Sequence, residues 1–72
     1  MGDTPVLAKK FGKKVRDLRM QKGISQEALA TKAGVHRTYI GMIERGEKNA
    51  TLTSADRIAR ALGTRVRDLI DF

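Results

Sequence analysis

Apolar side chains return along this chain at helical intervals, and no alternating run is long enough for a strand. Leu7, Phe11, Val15 and Leu18, spaced by four, four and three residues, lie on one stripe, while Lys9, Lys10, Lys13 and Arg16 point elsewhere. Thr4 ahead of Pro5, the only proline, predicts the start of this first helix, because proline presets the first helical φ and the threonine hydroxyl caps it. Gly23 predicts its end. Gly12 inside it carries a cost of about 1 kcal/mol relative to alanine. Ser25 predicts the cap of a second helix, with Gln26 and Glu27 at its positive end, Leu29, Ala30 and Ala33 facing inward, and Gly34 as its stop. A helix this short is unstable alone, so packing must hold it. A third helix opens near His36 and runs to Arg45 before Gly46, with Ile40 and Ile43 on one side and Arg37, Thr38, Gly41 and Met42 on another. Thr53 with Asp56 three residues later reads as a capping box for a fourth helix. Ala55, Ile58, Ala59 and Leu62 form its stripe, and Gly63 ends it. Val66, Leu69 and Ile70, followed by Phe72, mark a fifth. The expected fold is all-α, with five helices.

At 72 residues the chain makes a single domain, 1–72, with no room for a separate small-molecule sensor. So small a domain buries only roughly 60% of its unfolded surface, and its core is correspondingly modest. Fifteen Lys and Arg against eight Asp and Glu leave a net charge of +7. In a chain that is 40% hydrophobic, this describes a folded partner for a polyanion, the plainer reading being solubility alone. The absence of cysteine excludes disulfides and thiolate zinc sites, and with them zinc fingers, and suits a reducing cytosol. No apolar run approaches the ~18 residues of a membrane span and no signal-peptide pattern opens the chain, so a cytoplasmic location and no membrane are expected. One histidine, no glycine-rich phosphate loop and no paired carboxylates give no support to an enzyme, a metal site or a cofactor. Only Phe11, Tyr39 and Phe72 are aromatic, which is poor material for stacking on RNA bases.

Two short helices joined by a glycine turn in a basic chain are what a helix-turn-helix needs. Ala30, Ala33 and Gly34 are small enough for a close crossing, and Val35 plugs the turn. Such a module buries one face of its second helix and offers the other to the major groove. An ordinary three-helix bundle shares this pattern. The residues go further. Gly23-Ile24-Ser25-Gln26-Glu27, Leu29-Ala30, Ala33-Gly34-Val35, Tyr39-Ile40, Ile43-Glu44-Arg45-Gly46 and Ile58-Ala59-Arg60-Ala61-Leu62-Gly63 resemble the Cro/phage-repressor (XRE-type) helix-turn-helix family. With Phe11-Gly12 and the closing helix, the likeness covers nearly the whole chain. The run from His36 to Ile40, with Ile43-Glu44-Arg45-Gly46 and Asn49, is especially similar to the controller proteins of restriction–modification systems.

The resemblance implies a lambda-repressor-like fold with its helix-turn-helix core at about 25–45. It implies sequence-specific binding of double-stranded DNA and control of transcription. Arg37 and Thr38 match the base-reading start of the recognition helix, where arginine is suited to guanine O6 and N7 and the threonine to a hydroxyl or methyl contact. Arg37 on a phosphate is the alternative, since most contacts to DNA are of that kind. Met42 reads as a further base contact or as a half-exposed helix residue. Gln26, Tyr39, Lys48 and Asn49 match phosphate-contacting positions, Gln26 with capping and Tyr39 with packing as plainer roles. His36 stands where Ser, Thr or Asp caps better, and reads as a cap or as a phosphate contact. Gly41 offers no side chain to a base. Arg19 and Glu44 match a pair that ties the first helix to the third. Lys9, Lys10, Lys13 and Lys14 form a solvated face or touch flanking phosphates.

One module reads too few base pairs to find one site, so a homodimer on a pseudo-palindromic operator is expected. Val66, Leu69, Ile70 and Phe72, within a segment at about 64–72, form its expected seam, or else cap the monomer core. A second functional class remains open on sequence: an antitoxin-like protein-interaction module with secondary DNA binding.

Overall fold

A computed structural model describes the backbone of residues 3–71 and the side chains of residues 6–71. The elements are α1 (Asp3–Gln21), α2 (Gln26–Ala33), α3 (Arg37–Glu44), α4 (Leu52–Ala61) and α5 (Val66–Leu69), and no strand occurs among the described residues. The five expected helices are all present. α2 and α3 pack together, with α1 behind α3, α4 behind α2, and α5 closing the bundle between α4 and α1. Val15, Leu29, Ile40, Ile43, Ile58, Leu62 and Leu69 are fully buried at the centre. No single helix has a face wide enough to bury these residues, so the core exists only when all five contribute.

The turn between α2 and α3 is closed by chemistry that the sequence states openly. Gly34 sits at φ 71°. There a side chain is strained, and glycine lets the Val35 N–H donate back to the Ala30 carbonyl at 3.0 Å. Val35 then packs against the core and plugs the turn. Ser25 caps α2 through its hydroxyl, which accepts from the Ala28 N–H at 3.0 Å.

Several local expectations are corrected. α1 already includes Asp3, so Thr4 lies in its first turn and does not cap it. Leu7 is half exposed, and Ala8 and Gly12 take the inward positions of that stripe. The cap of α4 is Thr51 and not Thr53: the Thr51 hydroxyl accepts from the Ser54 N–H at 3.0 Å. Asp56 pairs instead with Arg60 on the outside of the helix at 2.9 Å. Leu69, expected at a subunit seam, is fully buried in the chain's own core, because α5 must close the bundle. Phe72 lies outside the described residues.

Candidate nucleic-acid interface

The exposed face of α2–α3 is built on an ion pair behind it. Arg19 reaches from α1 to Glu44 at the end of α3 with two bonds, Nε to Oε2 at 2.7 Å and Nη2 to Oε1 at 3.0 Å. Its third nitrogen, Nη1, donates to the Ile24 carbonyl at 2.9 Å, and the Gln26 amide donates to Glu44 Oε1 at 3.0 Å. The carboxylate of Glu44 is almost wholly enclosed, with 3% of its side chain exposed. A charge so buried is tolerated only when hydrogen bonds surround it, and removing one partner of such a pair costs about 3–5 kcal/mol. The hydrogen bond to Glu44 raises the Arg19 guanidinium pKa still further, so the guanidinium stays charged. This knot fastens α1, the turn before α2, α2 itself and α3 into one frame. The expected Arg19–Glu44 tie is therefore a feature of the structure.

The frame holds out the start of α3. Arg37 and Thr38 are exposed at its first turn. The nearest acid to Arg37 is Glu27, 3.8 Å away, with about 70% of each side chain in solvent at 69% and 73%. So loose a surface pair leaves the guanidinium able to swing outward. His36 caps α3: its Nδ1 accepts from the Thr38 N–H at 3.1 Å, which fixes the proton on Nε2 and turns that donor away from the helix. Met42 is half-buried. Tyr39 packs against the core, with Lys48 Nζ 5.8 Å from its ring centre, and Lys48 and Asn49 are exposed in the loop beyond α3. Gln26 stands at the first position of α2, facing the same recess as Arg37 and Thr38, but its amide nitrogen already serves Glu44.

Gly41 and Arg45 meet on this face in a way the sequence reading does not state. Gly41 is buried, and the position of a Cβ there is 3.1 Å from Arg45 Nη1 and 3.6 Å from Gln26 Oε1. The gap at residue 41 is thus filled by Arg45, whose Nε and Nη2 grip Glu47 at 2.9 and 3.1 Å. That pairing raises the Arg45 pKa and lowers that of Glu47. The signal was available: residues 41 and 45 are one turn apart, and a long side chain leans toward the helix N-terminus. Among the described residues no cluster of His, Cys, Asp or Glu suits a metal ion, and no helix is long and apolar enough to cross a membrane.

Comparison with known proteins agrees with this geometry. The family described as Helix-turn-helix (HTH_3) matches residues 15–69. The control protein C.BamHI of Bacillus amyloliquefaciens is 49% identical over 63 residues, covering 86% of this chain and 78% of that protein. The control protein C.SmaI of Serratia marcescens is 48% identical over 56 residues, covering 78% of this chain and 67% of its own. The crystal structure of the restriction-modification controller protein C.AhdI from Aeromonas hydrophila superposes with a TM-score of 0.84 at 44% identity, over 86% of this chain and 94% of that one. With these residues, this fold and these relatives, the chain belongs to the XRE-type HTH_3 family of helix-turn-helix transcription regulators.

Proposed function

We propose that the protein is a controller-type regulator that acts in the cytoplasm and binds a pseudo-palindromic operator as a homodimer. Arg37 and Thr38 read base edges in the major groove, with Met42 alongside. Gln26, His36, Tyr39, Lys48 and Asn49 meet the sugar-phosphate backbone. The observation that carries this reading is the exposure of Arg37 and Thr38 at the start of a helix whose other end is bolted to α1 through Glu44. A base reader needs this combination, an open guanidinium on a rigid base, because a bidentate guanine contact discriminates by about 1–3 kcal/mol only if its geometry holds.

Selection of duplexes from a random pool, followed by gel-shift titration, tests it. Binding falls steeply with salt, by about 0.9 log units per neutralised phosphate per decade. Arg37→Ala removes the preference for the selected duplex over a shuffled one. Lys48→Ala weakens both alike. Equal affinity of the unaltered protein for selected and shuffled duplexes would overturn the reading.

A further inference from the structure

Arg45 has a feature that an ordinary surface ion pair lacks, a place made for it. Its guanidinium lies where the side chain of residue 41 is missing, beside the Gln26 amide and in the same recess as Arg37 and Thr38. The fork of Nε and Nη2 is taken up by both oxygens of Glu47, which leaves Nη1 turned into the recess. Gln26 gives one of its two amide N–H groups to Glu44, which leaves an uncharged N–H for an anion, while its oxygen, an acceptor, has nothing to offer one. The nearest charged donor at that end of the recess is Arg45.

Resting on the DNA-binding reading above, we propose that Arg45 is a further DNA-contacting residue, gripping a backbone phosphate beside Gln26 through Nη1, and that the glycine at 41 exists to seat it. The chemistry favours phosphate over a base. A guanine edge takes two parallel N–H groups, and here the Nε and Nη2 pair is occupied by Glu47 while Arg45 stands at the opposite end of α3 from the base-reading Arg37 and Thr38. A single terminal nitrogen with two N–H groups suits one phosphate oxygen. Gly41 is then a positioning residue, since any side chain there pushes the guanidinium away.

The test compares a duplex selected from a random pool by the unaltered protein with a base-shuffled duplex of equal length. Arg45→Ala weakens binding to both by a similar factor, about tenfold for a charge-assisted hydrogen bond. It also makes the dependence of log K on log salt shallower by about 1. Gly41→Ala keeps every charge but occupies the seat, and binding weakens several-fold. Its thermal midpoint holds or rises, because only the tip of a flexible side chain must move and alanine exceeds glycine in helix propensity. Unchanged affinity in both variants overturns the proposal. A loss confined to the selected duplex overturns it too, by making Arg45 a base reader. Failure of the unaltered protein to bind either duplex sinks the DNA-binding reading itself, and this inference with it.

Discussion

At residue 12 the helix gives up a side chain to gain a contact. A Cβ at Gly12 would run into the carbonyl of Ile43 and come within 3.0 Å of that of Glu44. These are backbone atoms, which cannot swing aside as the tip of Arg45 does at Gly41. The close approach lets α1 lie against the end of α3, where Arg19 then meets Glu44. Gly12→Ala gains about 1 kcal/mol of helix propensity and loses more to overpacking, whose usual range is about 1–3 kcal/mol. With a rigid carbonyl in the way, a net loss of about 2 kcal/mol is expected, read as a lower urea midpoint at unchanged slope. A variant as stable as the parent would mean that α1 and α3 do not meet here. The sequence displayed the price of this glycine and hid its use, because periodicity within α1 carries no information about a helix so distant along the chain. Gly41 hides its use in a similar way. The sequence shows a position on the outer face with no side chain for a base, and the structure adds that Arg45, one turn away, fills the space.

At the scale of elements, the helices were legible and their ends less so. Apolar spacing located all five, and Ser25 and Gly34 marked their boundaries through local chemistry that needs no tertiary partner. Around α4 the local signals competed. Thr51 and Thr53 both qualify as caps, and Asp56 favoured Thr53. Starting at Thr51 gains an extra half-turn, because the Ala55 N–H reaches the Thr51 carbonyl at 2.8 Å while the hydroxyl accepts from Ser54. Asp56 is then free to pair with Arg60. Thr51→Ala should therefore cost about 1 kcal/mol, the usual worth of a threonine cap. Thr53→Ala, at an exposed position within the helix, should stay within about 0.5 kcal/mol of the parent. Thermal unfolding of the two variants side by side checks the assignment, and the reverse order would restore Thr53. α3 shows how an unusual cap works: an imidazole nitrogen replaces the expected oxygen, and the other nitrogen is left to face outward.

For the whole molecule, the question the sequence left open is what covers the far side. The core is complete with Leu69 inside it, yet an apolar groove of about 550 Å³ remains between the start of α1, the start of α4 and α5, lined by Leu7, Phe11, Leu52, Val66 and Ile70 among others. Leu52 is 85% exposed and Ile70 55%, which is unusual for neighbouring side chains of this size in so small a domain. The sequence pointed to the α5 end of this surface through Val66 and Ile70. It missed Leu52, which fell between the loop and the expected cap at Thr53, and Leu7, which was placed on the inward stripe of the first helix, because neither position shows the neighbours the fold brings to it. A protomer of 33 × 22 × 21 Å addresses about one turn of a duplex, so a paired operator asks for a second copy, and this groove is the proposed seam. In a two-fold interface each residue is buried twice. Burying a leucine contributes about 1.5–3 kcal/mol, so Leu52→Lys forfeits about 3–6 kcal/mol across the pair, or at least a hundredfold in dimer affinity. Sedimentation should show a dimer for the parent at high micromolar concentration and a monomer for Leu52→Lys, with helix content unchanged because Leu52 supports nothing in its own core. The same variant should keep its affinity for a half-site duplex while losing the advantage of two half-sites. A parent that stays monomeric while folded removes the dimer from the reading. A dimer that survives Leu52→Lys places the seam on another face, and with it the spacing at which two copies of α3 can meet the DNA.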